Sequence, residues 1–163
     1  MTDYGYWCEN GCLFPDMASC SIAIDKADRA NACLQVVKGS HRLGRLDHVQ
    51  VAGQATVEPE RLEEVLKILD VVYCEMDPGN AVFTHCNIIH RSDANRSDRS
   101  RHVMICCYNA ASNDPYKEHH HPRYTPLETV PDSTNKAAGR RLSEPDKVFI
   151  EPERVEHTHA KFD

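Results

Sequence analysis

Short runs of alternating hydrophobic and polar residues, separated by turn residues, dominate the first 110 or so positions of the chain. Alternation with a period of two is typical of strands with one buried face, and runs rich in β-branched residues favour strands as well. These runs cover residues 18–25, 33–37, 71–75, 81–85 and 101–108, and 44–51 is a further candidate for pairing. Many short strands of this kind predict a barrel or a jelly roll.

One segment has helical spacing instead. Pro59 suits the first turn of a helix, and acidic residues flank it. Apolar residues then recur every three or four positions, at Leu62, Val65, Leu66 and Leu69. We therefore predict a helix that begins at Pro59 and packs its apolar side in the core. Residues 77–80 (Asp-Pro-Gly-Asn) predict a turn, and the polar stretch 91–100 predicts a loop.

Length and charge narrow the class of protein. The 163 residues suffice for one domain with a buried core, and the net charge of -6 gives no reason to expect nucleic acid or an anionic membrane as partner. No apolar run approaches the ~20 residues of a membrane-spanning helix, and the N-terminal residues lack the pattern of a secretory signal. No two of the eight cysteines have Cys-x-x-Cys spacing. We therefore expect reduced thiols in a cytoplasmic protein, not a zinc ribbon or a disulfide scaffold.

The composition changes near residue 113. Beyond it, prolines punctuate a polar stretch that can pack against a domain but can hardly form one. We therefore predict a β core over residues 1–113 and a proline-rich polar extension over residues 114–163. Three consecutive histidines at 119–121 lie in this extension, where we expect them to be solvated and not to hold a physiological metal.

Candidate chemistry lies at the two ends of the polar loop, at His90 and Arg101. If the strands that flank the loop are antiparallel neighbours, both side chains can face the same interior. A buried guanidinium requires an anion, and its planar fork suits a carboxylate, to which the Ser92 hydroxyl can add a hydrogen bond. The spacing leaves two interpretations open. One is an imidazole for a metal beside a clamp for a carboxylate, and the other is a loop of solvated charges with an incidental histidine.

Three motifs in a fixed order resemble the phytanoyl-CoA dioxygenase family. Together they extend over about two thirds of the chain, and the order makes the resemblance more specific than any motif alone. The motifs are DYGYW (3–7) with CLFPD (12–16), then ANACLQVVKGSH (30–41), then GNAVF (79–83) with HRSDANRS (90–97) and Arg101.

The resemblance implies a mainly β fold, namely a double-stranded β-helix of the jelly-roll or cupin-like type with one or two helices. It also implies an Fe(II)- and 2-oxoglutarate-dependent dioxygenase. Such an enzyme hydroxylates a small molecule with O2 and releases succinate and CO2, with ascorbate as a candidate reductant. Trp7 and Thr84 would line the substrate pocket. The surroundings of Trp7 resemble ectoine- and proline-hydroxylase relatives, which favours a small amino acid or compatible solute as substrate.

The resemblance also implies roles at the metal. Family members hold iron with a His-x-Asp pair and a distal histidine, so Asp3 would be the carboxylate ligand and His90 the distal ligand. Arg101 would bind the far carboxylate of 2-oxoglutarate, and Ser92 would assist it.

The chain departs from the family's pattern at several positions. Met1 stands where the first histidine of the His-x-Asp pair belongs, Ala32 replaces a glycine, and Lys38 replaces a proline. We therefore expect an N-terminally truncated fragment in which one histidine and one carboxylate make a weak iron site. The alternative function is a non-catalytic β-helix module for binding or scaffolding. A cupin-like metal isomerase is a third option, against which the pair of Ser92 and Arg101 argues.

Other histidines are candidates with simpler explanations. His85 lies five residues before His90, which places it on the opposite face of a strand, although it could be a substitute ligand. We expect His41 to fix a turn. His102 follows Arg101 and should face away from it.

Overall fold

The computed structural model of the chain describes residues 1–51, 53–118 and 127–141. Contacts divide the chain into two compact units, Met1–Thr125 and Pro126–Asp163. The first unit contains all the described strands and the candidate site. The predicted boundary between residues 113 and 114 stays a prediction, and the histidines at 119–121 lie outside the described residues.

One antiparallel sheet forms the wall of the site. Its strands, in spatial order, are β6 (Ala81–His85), β1 (Met17–Ala23) and β8 (Val103–Asn109). The register pairs Ser19 of the central strand with Thr84 on one side and Cys107 on the other. Residues directly opposite each other in antiparallel strands project from the same face, so these side chains lie in one row.

A second antiparallel sheet carries the strand that holds His90. Its strands, in spatial order, are β5 (Val71–Tyr73), β2 (Gln35–Val37) and β7 (His90–Arg91). A separate hairpin consists of β3 (His48–Val51) and β4 (Gln54–Val57). The turn predicted at 77–80 connects β5 to β6, and Gly79 adopts a φ of 86°, a left-handed conformation that favours glycine. The described chain is therefore mainly β, as predicted.

Three helices accompany the strands in the described residues. They are α1 (Asp3–Glu9), α2 (Pro59–Leu66) and α3 (Ser133–Arg141), and a short 3-10 helix covers Ser40–Leu43. The helix predicted from Pro59 is confirmed, although it ends at Leu66, three residues before the last apolar position of the pattern. Helix α1 was not expected from its mixture of aromatic and polar residues. Tertiary contacts stabilise it, because the Cys86 carbonyl accepts hydrogen bonds from the first two N–H groups of the helix.

The main hydrophobic cluster joins α2 to the hairpin and to β2. Its buried members are Val37, Leu46, Val57, Val65 and Ile89. Ile89 directly precedes His90, so this cluster also supports the strand that carries the candidate ligand.

Replacing Leu46 by alanine should destabilise the first unit. Leu46 is 1% exposed, and removal of a buried leucine side chain costs about 2–5 kcal/mol of the free energy of unfolding. Urea denaturation followed by circular dichroism measures the change. Ile68→Ala is the control, since Ile68 is 81% exposed and a substitution of this kind should stay within about 0.5 kcal/mol. Equal effects of the two substitutions would contradict the assignment of the core.

Within the described ranges, every helix is too short or too polar to cross a membrane.

Candidate metal centre and its cavity

One cavity of about 410 Å³ brings together residues that are far apart in the sequence. Asp3 and Trp7 of α1, Thr84 of β6 and His90 of β7 all line it. These are four of the six residues to which the resemblance assigned a role. A volume of this size is ordinary for a site that binds a small molecule.

Backbone pairing fixes the position of Asp3 relative to His90. The N–H group of His90 donates to the Met1 carbonyl, and the Met1 amine donates to the His90 carbonyl, both at 2.9 Å. Residue 1 therefore lies directly opposite His90, as in an antiparallel pair. Thr2 has extended backbone angles (φ -125°, ψ 150°). In an extended chain, side chains two residues apart project to the same face, so Asp3 shares a face with residue 1. Asp3 is therefore directed toward the face that carries the imidazole of His90.

The orientation of the His90 ring is set by a carbonyl group. Its Nδ1 atom lies 3.1 Å from the carbonyl oxygen of Ile88, and a carbonyl can only accept, so Nδ1 carries a proton. In the neutral ring, Nε2 then has a lone pair, and this atom lies 3.6 Å from Oδ1 of Asp3. A histidine that binds a metal is commonly held by a hydrogen bond from its other nitrogen to a carbonyl group in this way.

Asp3 and His90 supply part of the set of donors that a metal cation requires. A carboxylate oxygen and an imidazole lone pair that face each other repel unless a positive charge lies between them, which can be a proton on the imidazole or a metal ion. Two such donors are two of the three in a facial arrangement of two histidines and one carboxylate. In the part of the chain that the structure describes, no group of three histidine, cysteine or acidic side chains could hold a metal. Met1 occupies the place opposite His90 where a third donor would complete the set.

Arg101 and Ser92 are placed differently from the other four residues. Neither is among the residues that line the cavity, and Ser92 is exposed in the loop after β7. Arg101 lies two residues before β8, whose alternate residues Ile105 and Cys107 do line the cavity. Arg101 itself lies outside β8, and continued strand alternation would direct it to the face of Ile105 and Cys107. Its Nε atom is buried and has no hydrogen-bond partner, which leaves a donor available for an acceptor from outside the chain.

The sequence analysis did not identify most of the cavity wall. Four lining residues had been assigned a role from the sequence, namely Asp3, Trp7, Thr84 and His90. The other lining residues are Cys12, Met17, Ala18, Ser19, Ser21, Leu34, Cys86, Ile105, Cys107, Tyr108, Asn109 and Pro115. Alternation along β1 and β8 could have selected many of them once one residue of each strand was assigned to the site. Cys86 is buried in this wall, and burial raises the pKa of its thiol to about 11. The thiol therefore stays protonated at neutral pH and donates to the Pro15 carbonyl at 3.2 Å.

Three other histidines are not among the residues that line this cavity. His85 accepts a hydrogen bond from the N–H group of Asn87 at 3.0 Å, and its ring lies 5.7 Å from that of His41. His41 is exposed in the 3-10 helix. His102 contacts Asp25 through Nδ1 at 2.6 Å. None of the three lines the cavity as the structure describes it.

Solved structures that are similar to this chain include an iron-binding protein. The chain is similar to EctD from S. alaskensis with bound Fe, at 26% identity and a TM-score of 0.62, over 72% of this chain and 40% of that chain. A structure of the same protein with 2-oxoglutarate and 5-hydroxyectoine matches at 25% identity and a TM-score of 0.61, over 71% of this chain and 39% of that chain. The chain therefore shares the fold of a protein that binds iron and 2-oxoglutarate.

Sequence comparison then identifies the family. The phytanoyl-CoA dioxygenase (PhyH) profile matches residues 2–103. A probable phytanoyl-CoA dioxygenase of Caenorhabditis elegans is 31% identical over 74% of this chain and 38% of its own length. The L-proline trans-4-hydroxylase of Streptomyces griseoviridis is 28% identical over 81% of this chain and 54% of its own length. This chain belongs to the phytanoyl-CoA dioxygenase family, and it spans between about a third and a half of the length of these relatives.

Proposed function

We propose that this chain carries part of the active site of an Fe(II)- and 2-oxoglutarate-dependent dioxygenase that hydroxylates a small molecule. The observation that carries the proposal is the approach of Asp3 to His90, at 3.6 Å, within a cavity that Trp7 and Thr84 also line. The antiparallel sheets of the described unit are compatible with a double-stranded β-helix, which we propose as the architecture of the whole oxygenase core.

Each residue has a distinct part in this proposal. Asp3 and His90 would hold the iron, with a third donor opposite His90. Arg101 would bind the distal carboxylate of 2-oxoglutarate through its guanidinium, whose Nε atom is buried, and the Ser92 hydroxyl would add a hydrogen bond after local rearrangement of its loop. When bound, Fe(II) with O2 supplies the oxidation that converts 2-oxoglutarate to succinate and CO2 and adds a hydroxyl group to the substrate.

The cavity wall has properties suited to a small, partly polar substrate. The aromatic ring of Trp7 supplies apolar contact area, and the Thr84 hydroxyl can donate or accept a hydrogen bond. Two relatives act on or bind compounds of this kind, since one is an L-proline hydroxylase and the EctD structure contains 5-hydroxyectoine. We therefore propose a small amino acid or a compatible solute as substrate, and a cytoplasmic location for the enzyme.

Succinate formation tests the proposed activity. The chain is incubated with Fe(II), ascorbate, 2-oxoglutarate and O2 together with L-proline or ectoine, and succinate is quantified by mass spectrometry. Succinate that depends on the candidate substrate and disappears in His90→Ala supports the proposal. Succinate at the same level in the wild type and in His90→Ala would contradict it.

A second candidate function is a non-catalytic binding or scaffold module. It is favoured by the absence, among the described residues, of a third side chain that could complete the metal site. Calorimetry on the chain distinguishes the two functions. Binding of Fe(II) and of 2-oxoglutarate supports the oxygenase, whereas cooperative unfolding without binding of either ligand supports the module.

A further inference from the structure

We propose that His48 is a positioning residue that holds the segment carrying Asp3 in place for metal binding. This inference rests on the proposed function, because it concerns the carboxylate that would bind the metal. His48 begins β3, in the hairpin, and is remote in sequence from both Asp3 and His90. Neither the sequence pattern nor the motifs of the family pointed to it.

A hydrogen bond connects His48 to the residue that precedes Asp3. The N–H group of Thr2 donates to Nε2 of His48 at 3.0 Å. Thr2 is 2% exposed, so little water can replace this acceptor if the imidazole is removed. Because Nε2 accepts, the proton of the neutral ring lies on Nδ1. Burial lowers the pKa of His48, which favours this neutral form.

Close packing connects the same imidazole to the first turn of α1. A Cβ atom built on Gly5 would lie 2.6 Å from Nδ1 and 2.7 Å from Cε1 of His48. Only glycine allows the ring to approach the helix so closely. The imidazole therefore contacts the backbone on both sides of Asp3, at Thr2 and at Gly5.

Backbone hydrogen bonds connect this segment to other parts of the unit. The N–H of Asp3 donates to the Cys86 carbonyl at 2.9 Å, and residue 1 pairs with His90. These bonds connect the segment to the sheet strands, whereas His48 connects it to the hairpin. Thr2 makes no side-chain capping bond to α1, and its Oγ1 atom lies 3.4 Å from Nε2 of His48. Removal of the imidazole should allow Asp3 to move relative to His90.

Substitutions of His48 test this role by rescue. His48→Ala should increase the rate of amide hydrogen exchange in residues 2–9 and weaken Mn(II) binding, measured by electron paramagnetic resonance, by about 10–100-fold, the usual cost of losing a contact that orients a metal ligand. In His48→Gln the amide oxygen can take the place of Nε2 as acceptor, so both properties should return toward the wild type. The asparagine side chain in His48→Asn is too short for its amide oxygen to reach the Thr2 N–H group, so this variant should resemble His48→Ala. His102→Ala, at an exposed histidine, is the control and should change neither property.

A double-mutant cycle with Gly5→Ala tests the packing. In the wild type this substitution should displace the imidazole and accelerate hydrogen exchange in residues 2–9. In the His48→Ala background the obstructing atoms are absent, and Gly5→Ala should cause no further acceleration. Additive effects of the two substitutions would overturn the contact.

Two outcomes separate this inference from the proposed function. If the wild type binds no Mn(II), the metal site fails, and the role of His48 in holding the segment is decided by hydrogen exchange alone. If the wild type binds Mn(II) but His48→Ala, His48→Gln and His48→Asn all bind it equally well, the positioning role is overturned while the metal site stands.

Discussion

Arg101→Ala should weaken the binding of 2-oxoglutarate by about 10–150-fold, because a hydrogen bond to a charged group contributes about 1.5–3 kcal/mol. The buried Nε atom of Arg101 has no hydrogen-bond partner, although buried polar groups are normally paired. Strand alternation continued back from β8 would direct the Arg101 side chain to the face of Ile105 and Cys107, which line the cavity. A carboxylate that reaches Arg101 would satisfy the unpaired donor and neutralise the charge.

Calorimetric titration of the Fe(II)-loaded protein under anaerobic conditions measures this affinity, and the affinity for Fe(II) is measured separately. Arg96→Ala is the matched control, because Arg96 is an exposed arginine in the loop that precedes Arg101. It should change the affinity for 2-oxoglutarate by no more than about twofold, as expected for a surface substitution. Equal losses of Fe(II) and 2-oxoglutarate affinity in Arg101→Ala would contradict the assigned role and indicate a general disturbance of the fold.

Met1→His should strengthen metal binding by at least about 10–100-fold. Loss of a residue that only orients a metal ligand costs about that much affinity, and a side chain that binds the metal directly should contribute more. Residue 1 exchanges two backbone hydrogen bonds with His90, so a side chain there lies beside the imidazole of His90. An imidazole at this position, together with Asp3 and His90, would supply the three donors of the facial arrangement.

The same short N-terminal peptide should precede residue 1 in all variants, so that histidine need not be the initiating residue. Met1→Leu is the control, since leucine is similar in size to methionine but has no donor atom. It should leave the affinity for Mn(II) unchanged. If Met1→His binds no better than Met1→Leu, residue 1 does not face the site, and the proposed geometry of the metal centre is wrong.

Much of the fold could be predicted because the local pattern and the tertiary structure agree. Strand β6 alternates in burial along its length, β8 is a run of apolar and β-prone residues, and Pro59 begins α2 as the pattern indicated. Helix α1 was missed because its stability comes from non-local contacts with Cys86 and with the β3 hairpin, which no local pattern reveals. Strand β4 was missed as well. In the described residues its pairing partner is β3, so it forms as one half of a hairpin and its own residues carry little signal.

The candidate site, like the fold, could be predicted from the sequence only in part. The family's motifs predicted Asp3 and His90 as metal ligands, a role that stays a prediction, and in the structure Nε2 of His90 lies 3.6 Å from Oδ1 of Asp3. His48 could not be found in this way, because its role depends on the distance between its ring and a backbone N–H group of a remote segment. The spacing from His90 to Arg101 suggested that both face one interior. That expectation assumed that the strands flanking the loop are neighbours, but β7 and β8 belong to different sheets. His90 lies in the cavity wall, whereas Arg101 is not among the residues that line it.

The most direct test of the metal centre is a Mn(II) titration monitored by electron paramagnetic resonance, in which free Mn(II) gives the signal. We expect one bound Mn(II) per chain in the wild type. Asp3→Asn and His90→Ala should each weaken binding by at least about 100-fold, the upper end of the cost of losing an outer contact. His85→Ala should bind as the wild type does, since His85 lies outside the cavity wall. Binding that is unchanged in Asp3→Asn and His90→Ala, or lost in His85→Ala, would contradict the proposal that Asp3 and His90 form the metal centre.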